Sequence, residues 1–347
     1  MSTETQETPK SPSTEAAQPE PSGFLTRVMV TGATGFVGRY VTRELVARGH
    51  KPVCLVRNQN RFLAQARQLG ADRFEAVGGD LFDPAGLAKS LEGAEACIHI
   101  VGIIFEHPLR GQTFERIHVE GTHNVVAACK AAGVRRIVHM SALGTRVNAP
   151  SRYHQTKWRA EGIVKDSGLD WTIFRPSIIH GHDGEFMRLM KSFVCDTTVT
   201  SLGFIPTPLP VIPYFGDGQN RLQPVSVKDV AYCFTAALSK PETIGKIYEL
   251  GGPEKISWKE LYRICRETIP GAKMWKPLIS QPVWAAKFLA ATVMKLPILP
   301  DYMRFNTAQV QMSQEDSVCD IAPVERDFDI KLRDFRQDLA SYANLID

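Results

Sequence analysis

The feature that most constrains the fold is a glycine-rich turn at residues 31–38. A short apolar run, Arg27–Thr31, leads directly into Thr31-Gly32-Ala33-Thr34-Gly35-Phe36-Val37-Gly38, and a helical pattern follows. Glycines at this spacing let the backbone turn tightly and approach a pyrophosphate, whose charge is met by the amides and dipole of the next helix. The alternative is a sharp strand-to-helix turn without a ligand. The flanking strand and helix favour phosphate binding through Gly32, Thr34, Gly35, Phe36, Val37 and Gly38.

Beyond the turn, short apolar runs alternate with helical patterns up to about residue 180. Six strands are predicted, near Arg27–Thr31, Pro52–Arg57, Arg73–Val77, Ala94–Val101, Arg135–Ser141 and Leu169–Arg175. The helices predicted between them include residues 112–132 and 152–167. Because this alternation is typical of βαβ units, we expect an α/β fold with a Rossmann-type, doubly wound parallel sheet. Ligands of such sheets bind at the carboxyl ends of the strands.

Local composition divides the chain into three parts. Residues 1–23 carry four Glu and few apolar residues, which predicts a disordered tail. Residues 24–180 are expected to form the nucleotide-binding Rossmann domain, and residues 181–347 a smaller, partly helical substrate or lid lobe. Within that lobe, residues 225–250 are expected to return to the main sheet through a strand at 246–250. The Pro-rich stretch 204–214 is interpreted as a loop or lid.

Charge and cysteine content limit the class of partner. The formal net charge is only +4 and Lys and Arg are scattered among acids, so no nucleic acid partner is expected. The seven Cys include no CxxC pair, which favours a reducing compartment. Residues 1–22 lack the apolar core of a secretion signal. We predict a cytoplasmic protein, with peripheral contact at the inner face of the membrane as an alternative, and leave its oligomeric state open.

The stretch 283–299 is apolar on almost every side of a helix. Lys287 and Lys295 leave too short an uncharged run to span a bilayer, which takes about 20 residues. Either the helix is buried in the second lobe, which we favour, or it lies in a membrane interface with both Lys facing lipid head groups. The second alternative suits a lipophilic or quinone-related substrate.

Histidine placement does not indicate a metal site. His99, His118, His139 and His180 lie in or beside apolar segments without a paired carboxylate or thiol. A hydrogen-bonded imidazole in the core is the expected role of such residues. We therefore predict no metal.

The second strand ends without the acid that holds both ribose hydroxyls in NAD-preferring sites. No Asp or Glu occurs between Leu45 and Ala71, and the strand ends in Val56-Arg57-Asn58. The Arg57 guanidinium suits stacking on adenine and pairing with a 2′-phosphate. The pattern favours NADP over NAD, which stays the alternative, as does a role for Arg57 as a solvated strand cap.

The third and fourth strands supply further candidates for cofactor contacts. Asp80 at the end of strand three can accept from the adenine amino group while Leu81 packs against the ring, or Asp80 can be a plain turn former. Strand four ends in Val101-Gly102, where Gly102 lets the backbone lie close to the cofactor. The alternative for Gly102 is interior packing.

A candidate catalytic set follows strand five. Ser141 ends that strand, and Tyr153 and Lys157, four residues apart, share one face of the next predicted helix. A neighbouring ammonium favours the phenolate, so we expect Lys157 to lower the pKa of Tyr153 from its usual value near ~10. Tyr153 can then exchange a proton with a substrate oxygen that Ser141 hydrogen-bonds, and Lys157 can also hold the nicotinamide ribose.

Four segments also carry a family resemblance: TGATGFVG at 31–38, EGTHNVVAACKAAGVRRIVHMSALG at 120–144, YHQTK at 153–157 and FRPSIIHG at 174–181. Over about residues 24–250 the chain resembles the short-chain dehydrogenase/reductase superfamily in its extended and atypical branches. It is most similar to bacterial, NAD-dependent epimerase/dehydratase-like relatives of the nucleotide-binding accessory subunit of respiratory complex I.

The resemblance implies roles for particular residues. Ser141, Tyr153 and Lys157 match the family's catalytic positions, and Pro176, Ser177 and Ile178 lie near the nicotinamide in such proteins. Where many extended members have Asn in the helix after strand four, this chain has His118.

Three functions agree with this sequence. The favoured one is an NAD(P)-dependent oxidoreductase that passes hydride between nicotinamide and a carbonyl or alcohol substrate, with Tyr153 as the general acid or base. The second is an NAD-dependent sugar-nucleotide epimerase or dehydratase, which the missing acid after strand two disfavours. The third is a non-catalytic NADPH-binding assembly or structural protein related to the complex I subunit.

Overall fold

A computed structural model of the protein describes residues 26–66, 73–195, 211–292 and 305–346. The predicted disordered tail lies outside these residues, as does most of the predicted Pro-rich lid. The strands are β1 (Arg27–Thr31), β2 (Lys51–Val56), β3 (Glu75–Gly78), β4 (Ala96–His99), β5 (Arg136–Met140), β6 (Asp170–Pro176), β7 (Ile179–His180), β8 (Ile212–Phe215), β9 (Arg221–Leu222), β10 (Val225–Ser226), β11 (Lys246–Leu250), β12 (Ile256–Ser257) and β13 (Leu278–Gln281).

The helices lie between these strands and after them. They are α1 (Phe36–Ala47), α2 (Gln59–Ala66), α3 (Pro84–Leu91), α4 (Gly121–Ala131), α5 (Arg152–Lys165), α6 (Glu185–Val194), α7 (Val227–Ala236), α8 (Trp258–Thr268), α9 (Val283–Ala291), α10 (Thr307–Met312), α11 (Ala322–Phe328) and α12 (Phe335–Tyr342). None of the helices in these described ranges is long and apolar enough to cross a bilayer.

The main sheet has seven parallel strands in the order β11-β6-β5-β4-β1-β2-β3. Its strands read as continuous apolar runs because both faces are covered by helices. Within β1, Val28 and Val30 face the cluster that includes α1 and α7, whereas Met29 between them faces the cluster of α3 and α4. This architecture confirms the predicted Rossmann-type fold.

The residues after the main sheet form a second hydrophobic cluster. Met187 of α6, Leu261 of α8 and Leu339 of α12 are fully buried in it. The edge strand β11 lies beside β6, so residues from beyond position 225 complete the main sheet. The division into a unit of residues 24–180 and a lobe of residues 181–347 stays a prediction.

Two elements differ from the sequence-based expectation. The helix expected over 112–132 begins with a wider, π-helical turn, Glu115–Glu120, before α4 continues it. The end of the stretch interpreted as a loop or lid contains β8, which pairs with β13. Prolines disfavour a central strand, but β8 belongs to a two-stranded sheet, where Pro213 removes no ladder bond from a second neighbour.

Candidate functional site

The glycine turn begins where β1 ends and is shaped by close backbone contacts. Gly32 has a φ of +76°, which side chains rarely adopt, and its carbonyl accepts from the Gly35 amide at 2.9 Å. A Cβ built on Gly38 would lie 2.0 Å from the same carbonyl oxygen. Val101, just beyond β4, lies beside the turn, since a Cβ on Gly32 would come within 3.2 Å of its Cγ2. Position 38 therefore accepts only glycine while the turn keeps this form.

Helix α1 starts at this turn without a side-chain cap. Its N-cap is Gly35 and its first turn holds no acid, whereas α5, α7 and α8 begin at Ser151, Ser226 and Ser257, whose hydroxyls accept from backbone amides. The first amides of a helix need acceptors, and the helix dipole favours an anion there. The backbone of residues 32–38 therefore fits the diphosphate of a dinucleotide.

The side chains of the turn point in different directions. Thr34 is exposed, whereas Val37 is buried in the core below the turn. Phe36 packs edge-on against Tyr40 with ring centres 5.9 Å apart. The Tyr40 hydroxyl in turn donates to Asp183 at 3.2 Å. The segment that follows β7 is thereby fixed to the start of α1.

The residues predicted to contact adenosine have different surroundings. Arg57 is exposed directly after β2. The Asp80 carboxylate accepts from the Phe82 amide at 2.8 Å, so Asp80 acts as a turn former, one of its two expected roles. Leu81 is buried beneath α4, and its carbonyl accepts from Asn124 at 3.0 Å. Among the residues that the structure describes, the exposed Arg57 side chain has no hydrogen bond of the kind that Asp80 and Leu81 make.

Lys157 connects the ends of β4 and β5. It is 2% exposed, and its Nζ donates to the carbonyl of Met140, the last residue of β5, at 2.9 Å. A Cβ built on Gly102 beyond β4 would lie 3.1 Å from the same Nζ. Burial lowers the pKa of Lys157 to about 8, against the opposing effect of Glu161. A buried amine that titrates near neutrality thus lies where two strand ends meet.

The other two members of the predicted catalytic set adjoin this lysine along the chain. Ser141 directly follows Met140 and is buried, and its Oγ donates to the Thr145 hydroxyl at 3.3 Å. Tyr153 lies one helical turn before Lys157 on α5. The structure therefore gathers Gly102, Ser141, Tyr153 and Lys157 around the ends of β4 and β5.

The pKa of Tyr153 departs from the expectation. We expected Lys157 to lower it, but burial raises it to about 12. Phe114 and His118 lie edge-on to the phenol ring, with ring centres 5.8 and 5.4 Å away. Since these rings cover part of the phenol and the Lys157 ammonium bonds to a backbone carbonyl, the loss of water around the phenolate outweighs its attraction to the cation.

The sequence did not reveal how His118 holds this helix. The His118 Nδ1 lies 2.9 Å from the Thr156 hydroxyl, which in turn lies 2.9 Å from the carbonyl of Tyr153. Nε2 lies 3.1 Å from both the amide nitrogen and the carbonyl oxygen of Ile103, so the ring bonds to both segments in either neutral tautomer. Burial lowers the pKa of His118 to about 2, so the ring stays neutral. His118, set in the π-helical turn, ties the helical turn of Tyr153 to the loop after β4.

A second buried imidazole extends the network to the glycine turn. The Thr122 hydroxyl donates to the His118 carbonyl at 2.6 Å, so His99 Nε2 donates to Thr122 at 3.1 Å. His99 Nδ1 then accepts from the Thr31 hydroxyl at 2.7 Å. Thr31 is the last residue before Gly32. A continuous chain of hydrogen bonds therefore runs from the start of the phosphate turn to the helix of Tyr153.

His139 lies beside this network but outside it. It is 1% exposed and stacks on His99 with ring centres 5.2 Å apart. Neither of its ring nitrogens has a hydrogen-bond partner among the described residues. Burial and the neighbouring cationic groups hold its pKa well below the usual range. The core under the site therefore contains an uncharged, unbonded imidazole.

The segment predicted to lie near the nicotinamide joins the main sheet to the second hydrophobic cluster. Pro176 ends β6, and its carbonyl accepts from the Leu143 amide at 2.9 Å. The Ser177 hydroxyl lies 3.2 Å from that of Ser317. Ile178 packs against the second cluster, which includes residues of α6, α8 and α12. These three residues thus lie between the carboxyl end of β6 and that cluster.

The chain matches a family of NAD(P)H-binding proteins over residues 32–192. It is 30% identical over 324 residues to the protein named NADH dehydrogenase [ubiquinone] 1 alpha subcomplex subunit 9, mitochondrial, of Arabidopsis thaliana, covering 89% of this chain and 74% of that protein. It is 32% identical to the ceramide reductase of Caulobacter vibrioides, over 62% of this chain and 63% of that enzyme's length.

Solved structures agree in fold. The NADPH-dependent quinone oxidoreductase of Escherichia coli, solved with NADPH, superposes with a TM-score of 0.66 at 21% identity, over 91% of this chain and 98% of that one. At this identity the similarity establishes the Rossmann fold alone.

Proposed function

We infer the function from the premise that this chain belongs to the extended short-chain dehydrogenase/reductase family, as an NAD(P)H-binding homologue of the alpha subcomplex subunit 9 of mitochondrial NADH dehydrogenase. Within this family we propose an NAD(P)-dependent oxidoreductase that reduces a carbonyl group. The observation that carries the proposal is the buried Lys157, whose Nζ lies between the ends of β4 and β5 one helical turn from Tyr153.

The proposed reduction assigns roles to all three residues of the set. A bound nicotinamide dinucleotide would supply the hydride to the carbonyl carbon. Tyr153 would give its proton to the carbonyl oxygen, and Ser141 would hydrogen-bond that oxygen as its charge develops. The Lys157 ammonium would stabilise the phenolate left on Tyr153 and hold the ribose.

The protonation states favour reduction over oxidation. With a pKa near 12, Tyr153 carries its proton at neutral pH and can act as an acid. Lys157 keeps its positive charge below its pKa of about 8. Alcohol oxidation requires the phenolate and should rise with pH, whereas carbonyl reduction should be fastest below about pH 8.

For the cofactor we propose NADP(H) rather than NAD. The exposed Arg57 supports a 2′-phosphate, and no acid between residues 45 and 71 is present to hold two free ribose hydroxyls. Gly32, Gly35 and Gly38 would bring the backbone to the diphosphate. Residues 176–178 and Gly102 would border the nicotinamide.

The substitution Tyr153→Phe tests the reduction. The variant should lose at least about a hundredfold in kcat, because general acid catalysis contributes roughly 10²–10⁴-fold. NADPH affinity, measured by calorimetry, should change by less than a few fold. The matched control is Tyr232→Phe on α7, whose hydroxyl donates to the carbonyl of Phe328, and this variant should keep wild-type turnover. Unchanged kcat in Tyr153→Phe would remove the proposal.

A second candidate is a non-catalytic nucleotide-holding subunit. The similarity to the Arabidopsis subunit, across 89% of this chain, supports it. In that case NADPH should raise the melting temperature strongly while a broad panel of carbonyls and alcohols gives no turnover. Pull-downs should then recover a membrane complex. The epimerase or dehydratase alternative predicts tightly retained NAD after purification instead.

For location and substrate we propose a cytoplasmic protein with peripheral contact at the inner face of the membrane and a lipophilic or quinone-related substrate. The name of the Caulobacter relative, a ceramide reductase, supports a lipid carbonyl. A panel should therefore compare long-chain ketones with short, water-soluble analogues of the same carbonyl. Higher kcat/KM for the short analogues would contradict the lipophilic choice.

A further inference from the structure

The face of helix α9 formed by Trp284, Lys287 and Phe288 is the basis of the inference. Trp284 and Phe288, four residues apart, are 76% and 68% exposed. The other side of the helix is buried, because Ala286 and Ala290 pack against α10. The described part of this helix is therefore apolar on its exposed side as well as on its buried side, and the favoured expectation of a buried helix is wrong for residues 283–291.

The same part of the chain exposes further large apolar side chains. Met274, Trp275 and Ile279 are 60%, 63% and 40% exposed, within ten residues before Trp284. Exposed apolar side chains that occur singly need no explanation, but a concentration of them indicates an interaction surface. Five such residues within 15 positions are a concentration of this kind.

Charge identifies the partner. No Asp or Glu occurs from residue 268 to residue 300, while the stretch contains four Lys, one of which, Lys287, is exposed beside Trp284 and Phe288. Helices with exposed Trp and Phe beside Lys, and without acids, suit the interface of a bilayer that carries negative head groups. A cognate protein surface would more often be matched by charges of both signs.

The face also has a defined relation to the candidate site. Val310 of α10 packs between the buried side of α9 and the interior. The N-cap of α10, Asn306, donates to the carbonyl of Ile104 at 2.7 Å. Ile104 lies two residues after Gly102 and is 48% exposed. One short helix, α10, thus separates the exposed face of α9 from the loop after β4. This loop borders the cleft between the glycine turn and the ends of β4 and β5, and Ile104 marks its mouth.

We propose that the Trp284–Lys287–Phe288 face docks on an anionic lipid bilayer and holds the mouth of the cleft at Ile104 next to the membrane surface. The docking depends only on this face. The delivery of a membrane-dissolved carbonyl substrate to the cleft rests on the function proposed above.

Sedimentation with vesicles tests the docking without cofactor or substrate. The full chain should bind vesicles of phosphatidylcholine with phosphatidylglycerol and should bind pure phosphatidylcholine much less, with release at high salt. Trp284→Ser combined with Phe288→Ser should weaken binding roughly tenfold or more, and Lys287→Glu severalfold. Ile244→Ser, at an exposed apolar position just before β11 and so at the opposite, amino end of the main sheet, is the control and should bind like wild type.

Three results would overturn the docking proposal. They are absence of sedimentation with anionic vesicles, equal binding to both vesicle types, and wild-type binding by the double variant. Light scattering is measured in parallel: a concentration-dependent dimer that the double variant loses would assign the face to a second copy of the chain. Turnover of a water-soluble carbonyl should be the same in the double variant and wild type, so vesicle binding and the proposed reduction fail separately.

Discussion

The two halves of the candidate cleft are held in shape by opposite means. At the glycine turn, backbone packs against backbone, and position 38 has no room for a side chain. At the ends of β4 and β5, buried polar side chains hold the geometry: Lys157 bonds to Met140, and His118 links Thr156 to Ile103. The geometry of the first half depends on steric packing, so its stability should be insensitive to pH. The geometry of the second half depends on the protonation states of buried side chains.

The largest effect should come from placing a side chain in the steric half. In Gly38→Ala the Cβ meets backbone atoms that cannot rotate away, so we expect a loss of about 3 kcal/mol or more in the free energy of unfolding. NADPH should no longer raise the melting temperature. Urea unfolding and thermal melts with and without NADPH measure both effects.

Gly162→Ala is the matched control for that substitution. Gly162 lies inside α5, and a Cβ built there meets nothing within 4 Å. Because Ala is the better helix former, this variant should gain about 1 kcal/mol. A Gly38→Ala variant that still binds NADPH like wild type would contradict the steric account of the turn.

The polar half should be damaged by acid. Burial lowers the pKa of His99 to about 3 and of His118 to about 2, and holds that of His139 well below its usual value near 6.5. Since the unfolded chain takes up protons first, the stability from these neutral rings is complete above pH 6.5 and falls as the pH drops below it. For each of these rings, the free energy of unfolding should fall by about 2 kcal/mol between pH 6.5 and pH 5.

Urea unfolding at pH 7.5, 6.5 and 5 measures this acid sensitivity. The variant His139→Phe tests how much of it comes from one ring. The substitution removes an imidazole that has no hydrogen-bond partner among the described residues, so the fold should survive and the loss between pH 6.5 and 5 should shrink by about 2 kcal/mol. The comparison between the two halves breaks if wild type and variant lose stability equally over this range.

The smallest effect should come from Arg57, which belongs neither to the backbone packing of the glycine turn nor to the buried polar network. Arg57→Ala should weaken NADPH binding about tenfold, the size of one charge-assisted hydrogen bond lost at an exposed site. NADH binding serves as the internal control and should stay the same. Calorimetric titration of both nucleotides decides the matter, and an equal loss for both would reassign Arg57 to the adenine or to the strand end.

The main sheet and the glycine turn could be predicted because their signals are local. Local sequence alone identifies the apolar runs of β1 to β6 and the spacing of Gly32, Gly35 and Gly38, because neither pattern depends on contacts with distant residues. The positions of Ser141, Tyr153 and Lys157 near strand ends follow from the same alternation of elements. Their catalytic roles remain predictions.

Other properties depend on residues far apart in the sequence. The raised pKa of Tyr153 results from Phe114 and His118, and the sequence alone shows only the nearby Lys157. Likewise, which side of α9 is buried depends on Val310 of α10. When a helix is apolar on every side, its sequence does not show which side packs against the rest of the protein.

The shared core of the main sheet also bears on synthesis. Phe234 of α7 packs on Phe174 of β6 with ring centres 4.7 Å apart, and Phe328 of α11 packs on the same ring at 5.4 Å. When only residues up to 180 have emerged from the ribosome, six strands of the main sheet are present, but the β6 edge lacks its partner β11. The helices that cover Phe174, α7 and α11, have not yet been made. The core of the main sheet is therefore complete only after residues up to 328 have been synthesised, and we expect the early strands to need protection from aggregation until then.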